Sequence, residues 1–170
     1  LKPWDTKVDI YGSNPLSPFQ SGEELLEKTI ALYQKLDSLI GNEQFSFAEK
    51  IITMKKMNHF DLTSRIGKAP GGYNYPLHES GAPFIFMNAV GSQSDLKTMV
   101  HECGHAVHSF LMHPLRFNVF KDVPSEIAEL ASMSMELISM DAWDIFYQNP
   151  ADLRRATLQQ LSGVLSILPW

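Results

Sequence analysis

The chain has 170 residues with 14 Lys and Arg against 19 Asp and Glu, a net charge of -5. That length suits a single domain with one core, and the acidic balance with no basic cluster argues against nucleic acid as a partner. No apolar run approaches the ~18 residues of a membrane span, and the single cysteine excludes an internal disulfide and favours a reducing, cytoplasmic setting.

Residues 1–20 are rich in Pro, Gly, Ser and aromatic residues and read as an irregular entry segment, with charges at Lys2, Asp5, Lys7 and Asp9 that break any signal-peptide pattern. A helix starts at Ser21, where Ser21 and Glu24 have the spacing of a capping box, and ends near Gly41. Its apolar stripe is Leu25, Leu26, Thr29, Leu32, Tyr33, Leu36 and Ile40. A second helix covers Phe47 to Met57, with Ile51, Met54 and Met57 as core and Lys55 and Lys56 as a solvated face. The Gly- and Pro-rich stretch from Asp61 to Ser80 disfavours helix. Within it Gly71-Gly72-Tyr73 reads most simply as a connection, with a flexible substrate-side loop as the alternative. Pro83 to Val90 is a short apolar run bounded by turns and predicts a strand.

Helices follow at 94–112, 124–147 and 150–168. The first has Ser94 and Asp95 as its cap and Pro114 beyond its end; its stripe is Leu96, Met99, Val100, Cys103, Val107, Phe110 and Leu111. The second has Pro124 in its first turn, and the third has Asn149 as cap and Pro150 at its first position. Cys103 and the methionines Met133, Met135 and Met140 read as packing residues.

His101-Glu102-Cys103-Gly104-His105 lies in the middle of the 94–112 helix. It fits H-E-x-x-H, in which two histidines bind zinc and the glutamate between them acts on a water. The spacing works because an α-helix turns once in about 3.6 residues, so His101 and His105 leave the same face. A hydrolytic zinc site usually takes three protein ligands and keeps a fourth position for water. Asp122, Glu126, Glu129 and Glu136 are the candidates for the third. Glu129, flanked by Ala128, Leu130 and Ala131, suits a partly buried position better than Glu126, whose first-turn place favours the helix dipole. Glu136 suits a hydrogen bond to a zinc-bound histidine. His108 shares the face of His101 and His105; a closed, structural site would need such a fourth ligand, but packing beside the site is the simpler reading. His59, His78 and His113 read as ordinary turn or surface histidines.

The segments 101–110 (HECGHAVHSF) and 124–140 (PSEIAELASMSMELISM) resemble the oligoendopeptidase F branch of the thimet-oligopeptidase-like zinc peptidases. Asp61-Leu62, Arg65 to Tyr73, Pro83 to Asn88 and the opening Leu1 to Asp5 are similar too, so the likeness covers nearly the whole chain. The resemblance implies a mainly α fold with a small β-sheet, a zincin-like catalytic core, and Glu129 of Ala128-Glu129-Leu130-Ala131-Ser132 as the third ligand beside His101 and His105. It implies a zinc-dependent endopeptidase acting on oligopeptides, with Glu102 as general base. Residues 1–93 would carry the substrate-side helices, loop and strand, and 94–170 the zinc-site helices, as one fragment of a catalytic domain. Family members are several times longer, so the remainder of a full-length peptidase is an implied partner. Tyrosines and a histidine that contact the substrate carbonyl in the family would lie beyond Trp170, which leaves a metal-binding but catalytically silent fragment as the alternative. In the family the strand before the zinc helix lines the cleft, so Phe84 to Asn88 is expected to form a sheet edge along the substrate.

Overall fold

The computed structural model describes residues 12–41 and 44–167; the Leu1–Asp5 segment and residues 168–170 lie outside the described residues. Helix α1 spans Gly22–Ile40. The Ser21 hydroxyl accepts from the Glu24 backbone N–H, and the Glu24 carboxylate in turn accepts from the Gln20 N–H, one residue upstream of the cap. Gly41 ends the helix at φ 65°, a left-handed position that costs a side-chain-bearing residue energy and costs glycine almost none. The predicted stripe is buried except for Ile40, which is exposed at the helix end, and Ile30 joins it.

Helix α2, Phe47–Lys56, is capped by the Ser46 hydroxyl and by Asp37 of α1, whose carboxylate accepts from the Phe47 and Ala48 N–H groups. Ile51 and Met54 are fully buried. Met57 is exposed instead, because the helix stops one residue before it.

Three strands follow: β1 Phe60–Thr63, β2 Tyr73–Tyr75 and β3 Phe84–Ala89. They form one sheet in the order β1-β3-β2, with β1 parallel and β2 antiparallel to β3. The strand at 84–88 is therefore central and not an edge: both of its ladders are occupied, and an extended peptide cannot add to it. Among the described residues the free edges belong to β1 and β2, which carry four and three residues. Side chains alternate along β3, with Ile85, Met87 and Ala89 buried against α3 and its neighbours.

Helix α3, Gln93–Met112, begins with a complete capping box made by Ser92 and Asp95, two residues before the predicted Ser94 cap. Helix α4, Ser125–Ile138, is shorter than predicted, and residues Ser139–Ile145 continue as a 3₁₀ segment. The Ser139 hydroxyl donates to the Glu136 carbonyl and accepts from the Trp143 indole N–H. That local competition for a backbone acceptor favours the tighter turn, and it delivers Trp143 into the core, where it is fully buried. Helix α5, Pro150–Ile167, starts with the Asn149 side chain accepting from the Ala151 N–H.

One apolar core runs from Leu16 and Phe19 through α1, α2, β3 and α3 to Trp143, Phe146 and Ala156. Each fully buried Leu, Ile or Met in it contributes ~1.5–3 kcal/mol. Cys103 lies in this core, where burial pushes its thiol pKa up, as a packing residue and not a nucleophile. Met135 is buried, whereas Met133 faces outward. The most extensive contact of α3 is with α4. At Gly104 the two helices lie so near that an added Cβ would stand 2.7 Å from the Ser132 Cα.

Candidate metal centre

Helix α3 presents His101 and His105 on one face, one turn apart, with ring centroids 4.9 Å from each other. Helix α4 crosses that face and brings Glu129 onto both rings. Glu129 Oε2 lies 3.3 Å from His101 Nε2, and Oε1 lies 3.7 Å from His105 Nε2. One ligand atom from each of the three residues falls within 4.8 Å of the others. Two ligands at ~2.0–2.1 Å from a tetrahedral zinc stand about 3.3 Å apart. The two nitrogens and the carboxylate thus have both the chemistry and the spacing to hold such an ion.

Among the described residues this is the group that converges; His108 is not part of it. Glu126 and Asp122 are exposed and take no part. Ser132, fully buried, donates to Glu129 Oε2 at 3.2 Å and steadies the carboxylate from within α4.

Glu136 is buried behind His101 and accepts from its Nδ1 at 2.7 Å. This bond fixes the tautomer: with the proton on Nδ1, the Nε2 lone pair faces Glu129. The same contact raises the His101 pKa in the metal-free protein, against the opposing effect of burial. Burial would push the Glu136 carboxyl up, but hydrogen bonds from His101, Gln160 and Lys97 outweigh it and hold the pKa below its ordinary value. Among the described residues His105 has no such carboxylate at its Nδ1; burial and the neighbouring His101 lower its pKa, which favours the neutral, ligating form.

Glu102 lies next to His101 on α3. It is 7% exposed and lines a cavity of 330 Å³ with Gly72, Lys97, Thr98, His101 and Glu136. Burial raises its pKa, making the carboxylate a better proton acceptor than one in water. Asn74 of β2 donates to the Glu102 backbone carbonyl at 3.4 Å and ties the sheet to this turn of α3. A second cavity of 240 Å³ shares Gly72 and Thr98 with the first and extends past Gly71, Met87 and Asn88. The Gly71–Gly72 segment therefore borders the cleft, and Asn88 holds it by donating to the Ala69 and Gly71 carbonyls.

Residues 1–167 match the model of peptidase family M3. The chain belongs to that family. The M3 chain is 30% identical over 105 residues to the chromosomal oligoendopeptidase F of Lactococcus lactis subsp. cremoris, covering 62% of this chain and 17% of the relative. It is 27% identical over 169 residues to an oligoendopeptidase F homolog of Mycoplasma pneumoniae, covering 95% of this chain and 25% of the relative. A Bacillus anthracis structure described as an oligoendopeptidase F superposes with a TM-score of 0.85 at 26% identity, over 99% of this chain and 29% of that one. PZ peptidase A with an inhibitor superposes with a TM-score of 0.80 at 27% identity, over 92% and 26%. The M3 chain thus spans between 17% and 25% of the length of these curated relatives.

Lys97, Thr98, Asn74 and Gln160 border or support the candidate site and have no place in the sequence reading. Lys97 carries a legible signal, since it is four residues before His101 on the same helical face. Asn74 and Gln160 carry none, because their roles depend on which elements pack together.

Proposed function

We propose that this chain carries the metal-binding and general-base part of a zinc-dependent endopeptidase that hydrolyses short peptides. The observation that carries the reading is the convergence of His101, His105 and Glu129 within 4.8 Å, with the buried Glu102 beside them. His101, His105 and Glu129 would hold the ion. A zinc ion there supplies Lewis-acid chemistry, lowering the pKa of a water toward 7 and polarising a carbonyl.

The rest of the work belongs to side chains. Glu102 accepts the proton of the attacking water and returns it to the leaving amine nitrogen; its burial suits it to both, and such catalysis is worth about 10²–10⁴-fold. Glu136 keeps the His101 ring in one tautomer while this happens. The cleft beside Gly71 and Gly72 accepts the peptide backbone, and the outer edge of β2, with β3 enclosed, is the strand positioned to pair with it.

A second reading has this chain holding the metal without turning peptides over by itself. Its support is the share of the relatives that the chain spans. Donors to the developing oxyanion contribute about 3 kcal/mol where they are present, and the remainder of a longer peptidase would supply them. A peptidase assay on residues 1–170 beside the full-length protein separates the two readings.

Glu102→Gln tests the assigned base. The variant should retain zinc after dialysis and lose turnover by about 10²-fold or more, while His105→Ala should lose the metal. Retained turnover in Glu102→Gln would remove Glu102 from its role.

A further inference from the structure

We propose that Gln160 of α5 is a positioning residue for the metal site, acting on His101 through Glu136. The proposal rests on the assignment of His101, His105 and Glu129 as zinc ligands and adds a support from a helix that contributes no ligand.

Glu136 is 5% exposed, and both of its carboxylate oxygens are engaged. Oε1 accepts from His101 Nδ1 at 2.7 Å. Oε2 accepts from Gln160 Nε2 at 2.7 Å and lies 3.3 Å from the Lys97 ammonium. A carboxylate held at both oxygens cannot turn without breaking a bond. The Gln160 contact thereby keeps Oε1 aimed at His101 and keeps the His101 Nε2 lone pair aimed at Glu129.

Gln160 and Lys97 do not contribute equally. The Lys97 side chain is 44% exposed and its attraction is weakened by solvent. Gln160 is 4% exposed. A buried amide left without its partner is costly, so this bond persists once α5 has packed. Being neutral, the amide fixes the carboxylate without drawing away the charge that His101 needs opposite its Nδ1–H.

Gln160→Met keeps the length and apolar volume of the side chain and removes the donor. The test is the zinc dissociation constant, measured by chelator competition at fixed pH on the full-length protein, with thermal unfolding in excess chelator as a parallel readout. Loss of a residue that directly supports a ligand weakens metal binding by about 10–100-fold. One bond further out, Gln160→Met should weaken zinc about 3–10-fold by the same logic. In a Glu136→Gln background the Gln160 substitution should cause no further loss, since a residue acting through Glu136 has nothing left to act on. A merely structural glutamine would lower the unfolding temperature of the zinc-free protein and leave zinc affinity alone. Unchanged affinity in Gln160→Met overturns the proposal, as does an equal loss in the Glu136→Gln background. A wild-type protein that binds no zinc overturns the ligand assignment itself, which is a different result. Should Gln160→Met not fold, Gln160→Asn keeps the amide and draws it back from Glu136 by one methylene; a zinc loss that vanishes in the Glu136→Gln background supports the relay, and unchanged affinity refutes it.

Discussion

Gly104, inside the H-E-x-x-H sequence, faces α4, and its replacement by alanine separates two quantities that usually move together. The new Cβ would stand 2.7 Å from the Ser132 Cα, 3.0 Å from the Met135 Cβ and 3.1 Å from the Ala131 carbonyl oxygen. Carbon atoms rest at about 3.5–4.0 Å, and the nearest contact is to backbone, which cannot rotate away. Helix α4 must therefore retreat by about 1 Å, judged against that contact distance. Overpacking of this kind costs about 1–3 kcal/mol, and about 1 kcal/mol returns because alanine favours helix over glycine. Stability should thus fall by no more than about 2 kcal/mol. Zinc affinity has no such offset. Glu129 lies less than one turn from Ser132 on α4, and metal–ligand distances hold to within about 0.2 Å. A 1 Å retreat should weaken zinc at least tenfold, about 1.4 kcal/mol. Chelator competition gives the affinity, and thermal unfolding in chelator gives the stability. Gly163→Ala is the control: it sits in α5 with nothing among the described residues within 4 Å of the added Cβ, and it should stabilise by about 1 kcal/mol with zinc unaffected. Zinc binding by Gly104→Ala within twofold of wild type would refute the claim that close packing at this glycine sets the ligand geometry.

Glu129→Gln should abolish tight zinc binding while Glu126→Gln leaves it intact, as read by metal content after dialysis; the reverse order would move the third ligand to the first turn of α4. A separate prediction concerns acid stability at the sheet. The Arg65 guanidinium, with the buried Lys68 ammonium, lowers the Asp61 pKa from its ordinary 3.8 to about 2. Because the folded value is the lower one, this stabilisation is complete above pH ~4 and is lost as pH falls toward 2. Full linkage over that interval is about 2 kcal/mol, reduced to about 1 because Arg65 lies in solvent. Acid unfolding of Asp61→Asn should lack this portion of the pH dependence, and a profile parallel to wild type between pH 4 and 2 would show that the ion pairs contribute nothing.

The helices were readable because their determinants are local. Ser21, Ser46, Gly41 and Asn149 mark ends through bonds to residues at most a turn away, and the apolar stripes of α1 and α3 predict their buried faces. The stripes overreach only at helix ends, where Ile40 and Leu111 are exposed because no neighbour extends that far. The sheet was less legible. Strands of three and four residues carry too few alternations to register as a period, so β1 and β2 give no sequence signal, and β3 without visible partners reads as an edge. The 3₁₀ segment after α4 was hidden for a related reason: its cause is one serine and the burial of Trp143, and neither alters the helical pattern. Within the site, the histidines follow from spacing on one helix. Glu129 needed the second helix segment to be identified, and spacing only ranked it above Glu126. Gln160 could not be found, since nothing in α5 marks which residue meets Glu136 until the helices are packed.

Under the proposed function, ligand and base chemistry depend on different contacts of the same helix. His101 and His105 meet Glu129 and Glu136, so the proposed ligand set is a property of the α3–α4 contact, packed at Gly104 and Ser132 and, by the inference above, reached from α5 through Gln160. Glu102 shares the cavity bordered by Gly72 with His101 and Glu136, but its turn of helix is tied to β2 by Asn74. Changes at the α3–α4 contact should therefore act first on zinc affinity and only through it on turnover. Changes at Asn74 or along Gly71–Gly72 should act on turnover or peptide binding with zinc affinity preserved. The sheet then has a reason to be small. Its strands give Leu62, Ile85, Met87 and Ala89 to the core; beyond that they hold a glycine segment beside one carboxylate, and Asn88 with the central strand β3 is enough to do that.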